Sequence, residues 1–260
     1  MIKLIATDMD GSLLNDDHKI DDEFWEVFKE IRKKNIIFSA ASGRQYYNLL
    51  EKFDSIKDDM LFIAENGTYV VKNGIEFFSV TIDKKDAIEL IEIGRGIEGA
   101  HIVICGKKSA YIENSDEKLV SEVSRYYSRF EVVEDVTKIE DDILKITLCD
   151  FKGSEENSHK HFINYEDKFN IAVSGKLWLD IIHNKANKGA AIKKIQEFFQ
   201  ITPCETMVFG DYLNDLEMVK NAKYSFAMEN AHPLLKKEAN FIAETNNQNG
   251  VVKKIKEILL

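Results

Sequence analysis

The sequence has 260 residues, of which 44% are hydrophobic and 31% are charged. That length suits one large domain or two moderate ones, and the composition is that of an ordinary globular protein. The formal net charge of −10 argues against nucleic acid as a partner, because binding nucleic acid calls for a basic face.

Neither a membrane-spanning segment nor a disulfide framework is expected. No apolar stretch approaches the roughly 20 residues that cross a bilayer, and no apolar signal core precedes Asp8. The cysteines, Cys105, Cys149 and Cys204, are scattered and odd in number, which fits a reducing compartment. We therefore expect a cytoplasmic protein, a monomer or weak homodimer, that binds neither membrane nor nucleic acid.

The first third of the chain alternates short apolar strands with helices. Strands are predicted from Lys3 to Thr7, Ile36 to Ala40 and Leu61 to Ala64, and helices at 22–33 and 45–53. This alternation is typical of a parallel sheet with helices on both faces. It predicts a Rossmann-like α/β core.

The pattern then changes to hairpins and helices. One hairpin turns at Asn73-Gly74 and another turns at residues 174–176. The elements predicted between these turns are a helix at 84–96, strands at 101–105 and 109–113, a helix at 117–129, a strand at 144–149 and a further helix after it. This mixture predicts an α+β module with a largely antiparallel sheet.

Strand–helix alternation resumes after residue 187. The predicted elements are helices at 188–199, 214–221, 233–239 and 250–259, with strands at 206–209, 224–228 and 241–243. The chain is therefore predicted to form an α/β domain from residues 1–82 and 185–260, interrupted by an inserted α+β domain at residues 83–184.

Polar residues follow the ends of several predicted strands. Ligands of open parallel sheets bind at the carboxyl ends of the strands. The residues at these ends are Asp8, Asp10, Ser42, Gly43, Arg44, Glu65, Asn66, Gly67, Gly210, Asp211, Asn214 and Asp215. Lys188 opens the helix that follows the insert. We expect these side chains to converge at one edge of the sheet.

Phosphoryl transfer through a carboxylate fits this set of residues. An aspartate can attack phosphorus and form an aspartyl-phosphate, which splits one difficult displacement into two easier ones. Because a phosphate dianion repels a bare carboxylate, the site needs a hard cation such as Mg²⁺, helped by Lys or Arg. A second acid two residues on, with a raised pKa, would protonate the leaving group and then activate water.

Four segments resemble the motifs of one family. The segments DMDGSLL, SGR, NKGAA and GDYLND are similar, in this order, to the motifs of the haloacid dehalogenase-like hydrolases, with Ser12 in place of the commoner threonine. The segment ENG and the long insert resemble the Cof-type phosphatases, which carry a class IIB cap domain. The resemblance spans essentially the whole chain and implies that residues 83–184 are this cap domain.

The resemblance implies catalytic roles for four residues. Asp8 would be the nucleophile and Asp10 the general acid and base. Ser42 would hydrogen-bond the transferring phosphoryl group, and Lys188 would stabilise its charge and orient Asp8. The implied reaction is hydrolysis of small phosphomonoesters, either sugar phosphates or cofactor phosphates such as pyridoxal phosphate or flavin mononucleotide.

The resemblance also implies binding roles. The predicted Mg²⁺ ligands are Asp8, the backbone carbonyl of Asp10 and Asp211, with Asp215 as an outer contact. The residues expected to bind substrate are Ser42, Gly43, Arg44, Asn66, Lys188 and Asn214. The cap domain would select the ester, but its residues carry no motif that identifies one.

Other interpretations stay open. A phosphotransferase or mutase would pass the phosphoryl group from Asp8 to an alcohol, and a phospho-accepting sensor module would retain it as a signal. A sugar-phosphate-binding protein would bind without reaction, although binding alone gains nothing from a nucleophile.

The roles of Ser42 and three histidines also have structural alternatives. Ser42 can cap the following helix, and His183 can contact substrate or be structural. We expect His159 and His161 to be solvated, because residues two apart on a helix point to different faces.

Overall fold

A computed structural model describes residues 1–260, and the chain forms two compact units. The first unit comprises residues 1–43, 53–78 and 187–260, and the second comprises residues 44–52 and 79–186. Residues 44–52, which the sequence places in the first domain, thus group with the second unit. The predicted α/β fold class is confirmed. No helix is both long enough and apolar enough to span a membrane.

The structure contains fourteen strands. In chain order they are β1 (Leu4–Thr7), β2 (Ile37–Ala41), β3 (Leu61–Ala64), β4 (Tyr69–Lys72), β5 (Ile75–Ser79), β6 (Ala100–Gly106), β7 (Ala110–Ile112), β8 (Phe130–Val132), β9 (Ile143–Asp150), β10 (Phe169–Gly175), β11 (Trp178–His183), β12 (Thr206–Gly210), β13 (Tyr224–Met228) and β14 (Phe241–Ala243).

Eight α-helices accompany these strands. They are α1 (Glu23–Lys33), α2 (Tyr46–Lys52), α3 (Lys84–Arg95), α4 (Glu117–Ser124), α5 (Lys188–Phe199), α6 (Leu216–Val219), α7 (Pro233–Glu238) and α8 (Gly250–Leu259). Helix α6 is shorter than the predicted helix at 214–221, because residues 213–215 form a 3₁₀ turn before it.

The main sheet of the first unit has eight strands in the order β14-β13-β12-β1-β2-β3-β4-β5. Its strands from β14 to β3 are parallel, and β4 joins β3 in the antiparallel sense. The predicted hairpin at Asn73-Gly74 therefore extends the parallel sheet as an antiparallel edge. Strands β1, β3 and β12 are buried along their whole length, so both faces of the sheet are covered.

Strand register brings the ends of β1, β2 and β12 together. Thr7 at the end of β1 lies opposite Ala40 on one side and Phe209 on the other. The Asp8 amide continues this pairing and donates a hydrogen bond to the Phe209 carbonyl at 2.9 Å. The residues that follow these three strands consequently leave the sheet at the same edge.

Helix α1 has the apolar stripe that the sequence predicts. Phe24, Val27, Phe28 and Ile31 recur at helical spacing, and all four are buried. The Phe24 ring centroid lies 5.3 Å from that of Phe38 on β2. This packing holds α1 against the central part of the sheet.

The second unit has a six-stranded sheet in the order β10-β11-β9-β6-β7-β8. It is antiparallel except for the pair β7 and β8, so the predicted sheet type holds for most of its length. Strand β8 was not predicted. The predicted helix at 117–129 ends at Ser124, and the helix expected after β9 is replaced by short helical turns between Ser154 and Tyr165.

Candidate active site

A buried lysine bridges two carboxylates at the carboxyl edge of the main sheet. Lys188 Nζ lies 2.5 Å from Asp8 Oδ1 and 2.7 Å from Asp215 Oδ1. The Lys188 side chain is fully buried, and Asp8 is 6% exposed. Charge-assisted hydrogen bonds of this kind are strong and directional. The lysine therefore holds the Asp8 carboxylate in one orientation.

The start of α5 explains how Lys188 reaches this position. Asn187 is the N-cap residue, and its side-chain oxygen accepts a hydrogen bond from the Ala190 amide at 2.7 Å. Gly189 packs against the backbone of Glu217, where a Cβ atom would lie 2.3 Å from the Glu217 carbonyl oxygen. The helix terminus is thus fixed close to α6, with Lys188 directed inward.

Burial shifts the proton equilibria of the central acids. It raises the pKa of Asp8 well above its ordinary value, against the opposing charge of Lys188, and Asp215 and Asp211 add to the rise. Burial and the charge of Asp215 raise the pKa of Asp211 to about 7. Burial disfavours the charge on Lys188, but Asp215 and Asp8 outweigh it and keep the pKa of Lys188 above the ordinary value.

Asp8, Asp211 and Asp215 form a cluster that fits a divalent cation. One carboxylate oxygen from each lies within 4.8 Å of the other two. Three carboxylates face one ammonium group, so the ionised cluster has an excess of negative charge. Hard cations such as Mg²⁺ take oxygen ligands of this kind. The donor atoms and the charge both fit the predicted metal.

Gly11 gives Asp211 the space that its carboxylate occupies. Its φ angle is +78°, and a Cβ atom at this position would lie 2.2 Å from Asp211 Oδ2. A side chain at residue 11 would therefore collide with a predicted metal ligand. The glycine in DMDG is required both for the turn and for the approach of the two loops.

Asp215 organises the loop that carries Asp211. Its Oδ2 atom accepts hydrogen bonds from the Asp211 amide at 3.0 Å and from the Tyr212 amide at 3.3 Å. Its Oδ1 atom accepts from Lys188, so both oxygens have donors. This arrangement favours Asp215 as an outer partner of the cation.

Asp10 lies at the rim of this cluster. Its side chain is 45% exposed, and its Oδ1 atom lies 3.3 Å from Nδ1 of His18. The sequence reading missed His18, because it sits in a polar surface loop with no motif of its own. Its only sequence signal is its closeness to the DMDG segment.

The segment after β13 supports both the loop of Gly11 and the loop of Asp211. Asn230 donates from Nδ2 to the Gly11 carbonyl at 2.8 Å, and the His232 amide donates to the Asp211 carbonyl at 2.8 Å. The first contact joins residues that are far apart in the sequence, and the second uses only backbone atoms. Sequence reasoning missed them for that reason.

Ser42, Gly43, Asn66 and Asn214 also gather in the first unit. The Ser42 amide donates to the Ile63 carbonyl at 2.8 Å, and the Ser42 carbonyl accepts from the Asn66 amide at 2.9 Å. A Cβ atom at Gly43 would lie 3.0 Å from Asn66 Oδ1, which accepts a hydrogen bond from Asn214 Nδ2 at 3.1 Å. Helix α2 begins only at Tyr46, so Ser42 is not its N-cap.

The segment ENG forms a turn of left-handed residues. The φ angles of Glu65, Asn66 and Gly67 are +48°, +58° and +93°. A Cβ atom at Gly67 would lie 2.4 Å from the Asn187 carbonyl oxygen, which fixes glycine at this position. The turn thus brings Asn66 toward Gly43 while its last residue packs on the N-cap of α5.

The remaining predicted residues belong to the second unit. Arg44 donates from Nη1 to Asn48 Oδ1 at 3.0 Å within that unit. His183 ends β11, and its Nδ1 atom accepts a hydrogen bond from the Lys185 amide at 3.2 Å, a structural contact. His159 and His161 lie in a 3₁₀ turn, where His159 is partly buried and His161 is exposed.

The fold and site together define an α/β protein with a buried acidic centre that suits a divalent cation. The family model described as haloacid dehalogenase-like hydrolase matches residues 5–255. The chain therefore belongs to the haloacid dehalogenase-like hydrolases. This confirms the family resemblance of the motifs and the predicted enzyme class, a hydrolase of the phosphatase type.

Similar proteins cover the whole chain. It is 34% identical to the 5-amino-6-(5-phospho-D-ribitylamino)uracil phosphatase YbjI of Escherichia coli, over 99% of this chain and 96% of that protein. It is 28% identical to YcsE of Bacillus subtilis, a phosphatase of the same name, over 100% and 96%. The crystal structure of SMU.1108c from Streptococcus mutans has a TM-score of 0.88 at 30% identity, covering 100% of this chain and 99% of that one.

Proposed function

We propose that this enzyme is a Mg²⁺-dependent phosphatase that hydrolyses small phosphomonoesters through an aspartyl-phosphate on Asp8. The observation that carries the proposal is the Lys188 bridge between Asp8 and Asp215, with Asp211 beside it. A non-reactive binding protein would gain nothing from a buried carboxylate aligned in this way.

Asp8, Asp211 and the backbone carbonyl of Asp10 would hold the cation, and Asp215 would be an outer contact. When bound, Mg²⁺ supplies positive charge that screens the carboxylates from an incoming phosphate dianion. Lys188 adds a fixed positive charge beside Asp8 Oδ1. Ser42, Asn66 and Asn214 supply hydroxyl and amide donors suited to phosphate or substrate oxygens.

The reaction divides into two displacements at phosphorus. In the first, an Asp8 oxygen forms a bond to phosphorus, the ester P–O bond breaks, and Asp10 gives its proton to the departing alkoxide. In the second, Asp10 takes a proton from water, the water oxygen bonds to phosphorus, and the Asp8–phosphorus bond breaks. Inorganic phosphate and an alcohol leave, and both aspartates return to their starting states.

The candidate substrate class is a small sugar or sugar-alcohol phosphate. The relatives YbjI and YcsE are both named as phosphatases of 5-amino-6-(5-phospho-D-ribitylamino)uracil, a sugar-alcohol phosphate attached to a pyrimidine. We include this compound with simple sugar phosphates as the first substrates to test.

Replacement of the nucleophile tests the proposal. With Asp8→Asn we expect hydrolysis of p-nitrophenyl phosphate and of the ribitylaminouracil phosphate to fall by about 10³-fold or more. The control is Asp17→Asn, an exposed aspartate of the neighbouring loop, which should retain full activity. Activity of Asp8→Asn close to that of the parent would exclude Asp8 as nucleophile.

Metal dependence gives a second test with two readouts. EDTA should abolish hydrolysis and added Mg²⁺ should restore it. Mg²⁺ at about 100 times its Kd should also stabilise the substrate-free protein by about 2.7 kcal/mol in a denaturation experiment. Asp211→Asn should weaken that stabilisation, whereas Asp17→Asn should not. An unchanged Mg²⁺ response in Asp211→Asn would contradict the ligand assignment.

A further inference from the structure

We propose that His18 is a positioning residue that orients the Asp10 carboxyl group toward the leaving-group oxygen. This inference rests on the proposed function, in which Asp10 is the general acid. It assigns a role to a histidine of the segment NDDHK, which lies outside the four motifs.

The contact joins two partly exposed side chains. His18 Nδ1 lies 3.3 Å from Asp10 Oδ1, and the two side chains are 68% and 45% exposed. A carboxyl group at this exposure can rotate about its side-chain bonds. With its proton on Nδ1, the imidazole would donate to Oδ1, select one orientation of the carboxyl group and leave Oδ2 as the oxygen that carries the transferable proton.

The loop around His18 is held by its own hydrogen bonds. The Asn15 amide donates to the Lys19 carbonyl at 3.0 Å, and the Lys19 amide donates to Asn15 Oδ1 at 2.9 Å. The His18 amide donates to the Asn15 carbonyl at 2.8 Å, and His18 has a φ angle of +57°. A residue other than glycine is uncommon in the left-handed region, and the surrounding structure must impose this backbone conformation.

A second set of bonds ties the loop to the distant segment Asn246–Gln248. Asp16 accepts from Asn246 Nδ2 at 3.0 Å and from Asn247 Nδ2 at 2.8 Å, while its amide donates to Asn247 Oδ1 at 3.0 Å. Asn246 Nδ2 also donates to the Leu14 carbonyl at 3.0 Å. The loop is therefore anchored to this segment through Leu14 and Asp16, just before His18, while Lys19 closes it by bonding to Asn15.

The contribution of His18 should depend on the leaving group. An alkyl phosphate releases a strongly basic alkoxide, so its departure needs the Asp10 proton. p-Nitrophenolate is a weak base and leaves without that proton. A misoriented Asp10 should therefore slow the first displacement for alkyl esters much more than for the aryl ester.

The test compares kcat/KM, which reports the first displacement, for an alkyl phosphate and for p-nitrophenyl phosphate. In His18→Gly, a residue that accepts the φ angle without strain, we expect kcat/KM to fall by about 10-fold or more for the alkyl ester and to change by less than about twofold for the aryl ester. His18→Gln, which keeps an N–H donor, should recover part of the loss. The matched loop control Asp17→Ala should leave both values unchanged.

Equal losses on both esters in His18→Gly, or no loss on either, would overturn the positioning role. Asp10→Asn separates this failure from failure of the proposed function. If Asp10→Asn loses alkyl-ester activity selectively and His18→Gly does not, then only the role of His18 is wrong. If Asp10→Asn itself shows no dependence on the leaving group, then the acid assignment in the proposed function is wrong, and the His18 role falls with it.

Discussion

Different interactions position the residues at the centre and at the rim of the candidate site. At the centre, Lys188 is fully buried between Asp8 and Asp215, and charge pairing determines where each group lies. At the rim, Asp10 and His18 are both exposed, and hydrogen bonds of the surrounding loop determine their approach. Asp8 of the centre and Asp10 of the rim both follow β1, which ends at Thr7.

The difference indicates a division of labour. Buried charges interact strongly and cannot relax into water, so the centre can hold a nucleophile and a cation in one arrangement. Exposed charges interact weakly, so a rim group needs a structured loop to orient it. Substitutions at the centre should therefore affect both stability and activity, whereas substitutions at the rim should affect mainly activity.

Removal of the buried lysine gives the largest expected effect. Lys188→Met leaves Asp8 and Asp215 buried without their counter-ion, which should cost about 3–5 kcal/mol in the free energy of unfolding. Hydrolysis should fall by about 10³-fold as well, because the charge next to the nucleophile is lost. Urea denaturation and steady-state kinetics measure the two effects.

The control lies on the same helix. Lys194→Met removes a lysine that is 53% exposed and pairs with Glu197, so it should change stability by less than about 1 kcal/mol. Similar stability losses in Lys188→Met and Lys194→Met would mean that burial does not distinguish the centre from the surface.

An alanine at Gly11 should give an intermediate effect. Its Cβ atom would lie 2.2 Å from Asp211 Oδ2, so the Asp211 carboxylate must move, and we expect a loss of about 10²-fold in kcat/KM with a weaker Mg²⁺ response. Gly74→Ala is the matched control, because Gly74 has a similar φ of +71° but no atom within 4 Å of the added Cβ.

Both glycine variants should lose about 1 kcal/mol of stability from backbone strain, but only Gly11→Ala should lose activity. Thermal denaturation and Mg²⁺-dependent kinetics separate the two contributions. Comparable activity in both variants would contradict the close approach of the DMDG and GDYLND loops.

The smallest effect is expected at a partly buried surface acid, Glu205. Its hydrogen bond with Lys3, and those with the Thr202 amide and hydroxyl, lower its pKa from an ordinary value of 4.5 to about 2. Since its pKa is depressed by folding, its stabilising effect is present above pH 4.5 and is lost as the pH falls from 4.5 toward 2. Glu205→Gln should slightly reduce the pH dependence of stability in that window. A steeper pH dependence of stability in the variant would contradict the assignment of a lowered pKa to Glu205.

Most of the first unit could be predicted because its elements have local signals. The stripe Phe24, Val27, Phe28 and Ile31 has helical spacing, and short apolar runs mark the parallel strands. Strand β8 has only three residues, and its pairing with β7 is set by tertiary contacts. The Arg129 carbonyl accepts from the Ala110 amide in that pairing, which explains why the helix predicted to reach residue 129 ends at Ser124.

The prediction of a helix after β9 was wrong for another reason. Asp150 accepts hydrogen bonds from the Lys152 amide and the Asn157 side chain, and the Ser154 hydroxyl donates to the Gly175 carbonyl. These side-chain bonds compete with a regular helix and favour the short turns that form instead. Their partners lie on both sides of the segment, so a periodicity argument does not detect them.

At the site, the charged residues had a signal in the sequence, but the residues that hold their loops in place did not. Asp8, Lys188, Asp211 and Asp215 occur in motifs at element ends, and the structure brings them together. His18 and Asn230 reach the same loops through contacts that depend on how distant segments pack. Spacing along the chain cannot reveal such contacts.

The most direct measurement is chemical trapping of the covalent intermediate. The enzyme is mixed with a ³²P-labelled phosphomonoester and Mg²⁺, quenched in acid within milliseconds, and digested for mass spectrometry. We predict acid-stable label on the peptide that contains Asp8 in the parent protein, and no label in Asp8→Asn. Label on another residue, or label that persists in Asp8→Asn, would contradict the central role of the carboxylate at position 8.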